Sequence, residues 1–147
     1  NVQTYAPREA GVYQIGFYRS GNFTPSYLGR ALGNTTSIHS RLLAHVRGNG
    51  NAYIAEYQDT RLRNHLYFRY MRSSNPAQTE ASLLNRFGIG EDGLFEWNQR
   101  LENFEQVGAA LISEDWRIKT THVKGTDASV LFWDNLLWGT TAGTLEE

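Results

Sequence analysis

The sequence predicts an α+β fold in which a small three-stranded, antiparallel-leaning sheet is flanked by helices. Apolar and polar residues alternate over residues 11–18 and 65–71, as in half-buried strands. Apolar residues recur every four positions between Ser37 and Gly48, as in an amphipathic helix. Two strands, a helix, a strand and a second helix follow one another, an order typical of a sheet with helices packed against it.

The first two strands are predicted to form a hairpin. Tyr13 and Ile15 alternate with residues that face the other side of the first strand. Residues 19–25 combine Ser, Gly and Asn with a Pro, which indicates the hairpin loop. The second strand is therefore expected over residues 27–31, and residues 33–36 are a polar connection to the first helix.

Two helices have recognisable ends. Ser37 is a typical N-cap, and Gly48 is typical of the position just after a helix. Asn75 followed by Pro76 is an N-cap with proline at the first helical position, and Gly88 marks the end of that helix. The sequence thus predicts helices over 38–47 and 76–87.

Other stretches leave their structure open. Residues 52–57 fit either a short strand or a helical turn. The tail beyond residue 103 combines a helical stretch with an aromatic segment near 130–138. We expect a catalytic domain over residues 1–102 and a C-terminal extension over residues 103–147 that packs on the same domain.

Composition narrows the class of protein. A chain of 147 residues with four Trp, eight Tyr and seven Phe is long and apolar enough to bury one core. It contains no cysteine, which excludes thiolate metal sites, thiol catalysis and disulfides. No apolar run approaches the ~20 residues that span a bilayer, and the N-terminus lacks a signal pattern. We expect a cytoplasmic protein without membrane contact. Because the sequence begins with Asn1, we also expect either a domain cut from a longer polypeptide or a processed product.

The net charge of −1 conceals an asymmetry. Residues 1–100 carry 11 Arg and no Lys against 7 acidic residues, a balance of +4. Residues 101–147 carry 3 basic against 8 acidic residues, a balance of −5. Arginine pairs with phosphate through two parallel hydrogen bonds, so its exclusive use in the first part favours a nucleic-acid partner. We expect the acidic tail either to limit the length of DNA that the chain contacts or to cover the arginine-rich surface of residues 1–100.

Glu80 is the sharpest single candidate. It shares a helix face with Leu83, Leu84 and Phe87, so its carboxylate lies within an apolar stripe. A buried carboxylate needs a cation, either an arginine or a metal. One carboxylate suffices for Mg²⁺, which keeps most of its waters and uses phosphate oxygens. The chain lacks the spacing of a multi-ligand zinc or calcium site.

Arg41 and His45 lie four residues apart on the first helix, beside its apolar face. Arg41 suits the stabilisation of charge on a phosphate, and His45 suits proton transfer near neutral pH. Tyr13 and Tyr27 are ordinary strand residues by propensity, but nearby cations lower the pKa of a phenol. Tyr13 and His45 therefore compete as the base that activates water.

The order of these residues resembles the GIY-YIG nuclease family over roughly residues 8–100. The first motif is Gly11-Val12-Tyr13 and the second is Tyr27-Leu28-Gly29. The family's later positions are matched by Arg30, Arg41, Glu80 and Asn98, and His45 matches a subset that includes restriction endonucleases. The stretch between the second motif and Arg41 is longer than the family leads us to expect.

The resemblance implies a nuclease that hydrolyses phosphodiester bonds in DNA with Mg²⁺ or Mn²⁺. It implies seven catalytic positions, with Glu80 as the metal ligand: Tyr13, Tyr27, Arg30, Arg41, His45, Glu80 and Asn98. Asn98 would either hold backbone groups or orient a phosphate. Cleavage of RNA and action as a homodimer stay open. Two alternatives are an inactive nucleic-acid-binding module and a toxin or effector domain that has an inhibitor or a parent polypeptide as partner.

Overall fold

A computed structural model describes residues 1–19, 21–60, 66–89, 94–98, 128–138 and 142–147. The strands are β1 (Gly11–Arg19), β2 (Asn22–Ala31), β3 (Tyr67–Arg72) and β4 (Gly143–Thr144). The helices are α1 (Val2–Tyr5), α2 (Ile38–Val46), α3 (Ala52–Thr60), α4 (Pro76–Phe87) and α5 (Ala128–Trp138). In the described ranges the strands form one antiparallel sheet in the order β2-β1-β3-β4, flanked by helices, which confirms the α+β class.

The sheet has one strand more than predicted. β4 pairs with β3 through Tyr67 opposite Thr144 and Phe68 opposite Gly143. A strand of two residues is too short to show alternation of apolar and polar residues, so its sequence does not reveal it. The sheet therefore includes two residues close to the C-terminus, which are far in sequence from the N-terminal hairpin.

The predicted hairpin loop over residues 19–25 is wrong. Arg19 already pairs with Asn22, and β2 runs through Pro25. Proline is tolerated there because β2 lies at the edge of the sheet and because the register shifts between Ile15 and Gly16. The short connection includes Gly21, whose φ of 81° favours glycine.

The sheet has a core on each face. One core joins Tyr13 and Ile15 of β1 to α2 and α3, and the other joins Val12 and Leu28 to α4, where Leu84 is fully buried. This division follows the alternation of side chains along a strand. α2 and α4 therefore lie on opposite faces, and both can send side chains to the free edge of β2.

The predicted ends of α2 and α4 are confirmed. Ser37 accepts a hydrogen bond from the N–H of Ser40 at 3.1 Å, and Asn75 caps α4 with Pro76 at its start. Gly48 and Gly88 follow the two helices with φ of 79° and 83°. The undecided stretch over residues 52–57 lies in α3.

The C-terminal part of the chain packs on the sheet through α5. Asp134 is fully buried and pairs with Arg69 of β3 at 2.8 Å, and Gln14 of β1 donates to the same carboxylate at 3.0 Å. The predicted domain boundary at residues 102–103 lies outside the described residues. No helix within the described ranges is long and apolar enough to cross a membrane.

Candidate active site

A pocket of about 310 Å³ lies beside the C-terminal half of β2. Its lining includes five of the seven predicted site residues, which are Tyr13, Tyr27, Arg30, Arg41 and Glu80. They come from β1, β2, α2 and α4, so the structure brings together residues that are up to 67 positions apart in sequence. The two remaining predicted residues, His45 and Asn98, are not part of the pocket lining.

Tyr13 reaches the pocket by crossing β2 at Gly29. The two residues are paired across β1 and β2. A Cβ atom on Gly29 would collide with the ring and the hydroxyl oxygen of Tyr13, so only glycine leaves room for this ring. The ring centroid of Tyr13 lies 6.3 Å from that of Tyr27. The glycine of the second motif therefore places the tyrosine of the first.

His45 lies directly behind Tyr13. Its Nε2 is 2.8 Å from the Tyr13 hydroxyl, and its Nδ1 accepts a hydrogen bond from the N–H of Asn51 at 3.2 Å. Because Nδ1 accepts, the neutral ring carries its proton on Nε2 and donates it to the Tyr13 oxygen. His45 is thus a hydrogen-bond donor to the Tyr13 oxygen.

The expectation that His45 titrates near neutral pH is wrong. Burial, together with the charge of Arg41, lowers the pKa of His45 from 6.5 to about 3. Gly50 contributes to this burial, because a Cβ atom there would collide with the imidazole ring. The imidazole therefore stays neutral at pH 7. Of the two candidate bases, Tyr13 is the one that lines the pocket.

Burial also determines the pKa values of the two phenols, Tyr13 and Tyr27. It raises the pKa of Tyr13 well above its ordinary value and that of Tyr27 to about 12. Arg41 lowers both pKa values and Arg30 lowers that of Tyr27, as expected from the sequence, but burial outweighs them in the chain alone. Glu80 also raises both pKa values through its negative charge. A cation that neutralised Glu80 would remove this contribution.

Glu80 is buried with 2% of its surface exposed, as the apolar stripe on α4 predicts. Its Oε1 accepts a hydrogen bond from Arg30 at 2.7 Å. Burial raises the pKa of Glu80, and the charges of Arg30 and Arg41 oppose that rise. The predicted requirement for a cation is met in this structure by an arginine.

The pocket suits a cation held by one protein carboxylate. The carboxylate of Glu80 lines the pocket, and its Oε1 accepts a hydrogen bond from Arg30. No group of three His, Asp or Glu side chains converges in the part of the chain that the structure describes. Mg²⁺ and Mn²⁺ suit such a site, because they keep several waters and accept phosphate oxygens as further ligands.

Asn98 holds backbone rather than lining the pocket. Its Oδ1 accepts from the N–H of Leu28 at 2.9 Å, and its Nδ2 donates to the carbonyl of Leu28 at 2.9 Å. The amide therefore takes the place of a neighbouring strand on the outer edge of β2. Of the two roles that the sequence left open, the contacts correspond to the one in which the amide holds backbone groups.

Two residues of the pocket, Leu32 and Thr36, were not among the predicted site residues. Both belong to the connection between β2 and α2, whose unusual length was the only indication in the sequence. Gly50 and Asn51, which hold His45, were missed as well because they act only through contacts that depend on the fold.

We compared the chain with protein-family models, with curated proteins and with solved structures, and found no match in any of the three. Function is therefore inferred from the chemistry of the pocket. Two phenols, two guanidinium groups and one buried carboxylate converge on a space of about 310 Å³. This combination suits an anionic substrate better than an apolar one.

Proposed function

We propose that this chain is a divalent-cation-dependent nuclease of the GIY-YIG type that hydrolyses phosphodiester bonds in DNA. The observation that carries the proposal is the convergence of Tyr13, Tyr27, Arg30, Arg41 and Glu80 on one pocket. Their order in the sequence resembles that of the family, and their phenol, guanidinium and carboxylate groups share one space of about 310 Å³. The choice of DNA over RNA rests on the resemblance alone.

In this proposal the two arginines bind the scissile phosphate. Arg30 and Arg41 line the pocket from β2 and α2, together with the two phenols. Their positive charge offsets the charge that develops on the phosphate oxygens during attack. The Tyr27 hydroxyl, whose pKa of about 12 keeps it protonated, donates a hydrogen bond to a phosphate oxygen.

Tyr13 acts on the attacking water. Tyr13 reacts in its phenolate form, which it reaches by losing its own proton to solvent. The water oxygen forms a bond to phosphorus, its proton passes to the phenolate oxygen of Tyr13, and the bond from phosphorus to the leaving oxygen breaks while that oxygen takes a proton from solvent. His45 donates a hydrogen bond to the same Tyr13 oxygen and so stabilises its phenolate form. His45 thus acts through Tyr13, and Asn98 acts through the backbone of β2.

Glu80 is the proposed ligand of the cation. Bound there, Mg²⁺ or Mn²⁺ would supply positive charge to the phosphate and leaving oxygen and offset the carboxylate charge that raises both phenol pKa values. Arg30 pairs with Glu80 in the structure, so it holds the carboxylate in place before a cation enters. Its guanidinium also lies within reach of a phosphate that enters the pocket.

The proposal is tested by incubating the purified chain with supercoiled plasmid, single-stranded DNA and RNA in parallel, each with Mg²⁺ and with EDTA. We expect nicked or linear plasmid with Mg²⁺, none with EDTA, and recovery when excess Mn²⁺ is added. Cleavage that persists in EDTA would contradict the cation requirement. Binding of DNA without cleavage in either metal would support the alternative of an inactive nucleic-acid-binding module.

A further inference from the structure

The rim of the pocket carries an apolar side chain that the proposed chemistry does not use. Leu32 follows β2 directly and lines the pocket, yet 48% of its surface is exposed. Among the described side chains of the lining it is the only aliphatic one. The other described side chains of the lining are charged, hydroxyl-bearing or phenolic, so this leucine has no aliphatic partner among them.

The turn around Leu32 is fixed by hydrogen bonds. The N–H of Leu32 donates to Thr36 Oγ1 at 3.3 Å, and the N–H of Gly33 donates to the carbonyl of Thr36 at 2.9 Å. Gly33 has a φ of 98°, and a Cβ atom there would lie 2.8 Å from Cβ of Ala10. The turn therefore holds Leu32 at the pocket mouth rather than letting it fold away.

A nucleotide offers two kinds of surface to such a pocket. Its phosphate is anionic and suits Arg30 and Arg41, whereas its sugar and base have apolar faces. Leucine is one of the side chains that proteins place against or between bases. An exposed leucine fixed beside a phosphate site therefore has a fitting partner in the nucleoside attached to that phosphate.

We propose that Leu32 packs against the nucleoside that adjoins the scissile phosphate and thereby positions that phosphate in the pocket. The proposal rests on the proposed nuclease function. It makes Leu32 a substrate-positioning residue, supplied by the same long connection that departs from the family pattern. The contact is apolar and not sequence-specific, so it aligns the substrate without selecting a base.

The test compares Leu32→Ala, Leu32→Asn and Leu32→Met in plasmid nicking with Mg²⁺, over a range of plasmid concentrations. All three variants keep the backbone N–H that holds the turn. We expect Ala and Asn to raise KM about tenfold with little change in kcat, and Met to restore the wild-type KM, because an apolar contact is required. Leu136→Ala is the matched control, because Leu136 is 65% exposed on α5 and lies outside the pocket lining; its KM should equal that of the wild type.

Wild-type KM in the Ala and Asn variants would overturn the role of Leu32 while leaving the nuclease function standing. An equal loss in all three Leu32 variants, accompanied by a lower Tm, would show that Leu32 serves only the fold and would overturn it too. A wild-type chain that cleaves no DNA with Mg²⁺ or Mn²⁺ would refute the nuclease function, and the inference with it.

Discussion

At the scale of residues, the reactive side chains of the pocket depend on neighbours that carry no reactive group. Gly29 leaves room for the ring of Tyr13, and Gly50 leaves room for the ring of His45. Asn98 holds the strand on which Tyr27 lies. Tyr13 and Glu80 were predictable because motif and periodicity are local properties of the sequence. The neutral state of His45 was not predictable, because it follows from burial in the assembled fold and from the charge of Arg41.

The neutral state of His45 predicts a dependence of stability on pH. Its pKa is lowered from 6.5 to about 3 in the folded chain, so protonation favours the unfolded chain. The stabilisation is present above pH 6.5 and is lost as the pH falls toward 3, and the free energy of unfolding should decrease over that interval. Urea unfolding of wild type and His45→Gln at several pH values measures it, and the difference between the two should shrink as pH falls. A constant difference would contradict the assignment.

At the scale of elements, the helices that carry their own end residues were predicted, and the elements that depend on partners were not. Ser37 and Asn75 cap α2 and α4 by contacts within four residues, which the sequence displays. β4 exists only because β3 is beside it, and Pro25 lies in a strand only because β2 is an edge. α5 is attached in the same non-local way, through Asp134 to Arg69.

The attachment of α5 gives a second prediction. Asp134 and Arg69 are both buried, so Asp134→Ala leaves a guanidinium without its carboxylate and should cost about 3–5 kcal/mol of stability. Glu147→Ala is the matched control, since it breaks the exposed pair with Arg47 and should change stability little. Urea unfolding of both variants measures the contrast. Equal effects would show that burial of the Asp134 pair does not govern the docking of α5.

At the scale of the whole molecule, the fold brings residues that are distant in sequence together in one pocket. The side chain of Tyr13 belongs to the core on one face of the sheet, whereas Glu80 lies on α4, which packs on the other face; both reach the same pocket beside β2. The sequence supports the choice of residues through a family resemblance, but neither periodicity nor spacing predicts their separation in space. The Arg30–Glu80 pair and the turn that presents Leu32 likewise come from the assembled structure.

The central claim is that Glu80 holds the cation that plasmid cleavage requires, and the Glu80→Gln variant tests it most directly. The substitution keeps the shape of the side chain and removes its charge, so Mg²⁺-dependent cleavage should fall at least about a hundredfold, because the charge that binds the cation is lost. Glu56→Gln, at an exposed position of α3, is the matched control and should cleave like the wild type. Cleavage by Glu80→Gln at the wild-type rate, with the same dependence on Mg²⁺, would contradict the account.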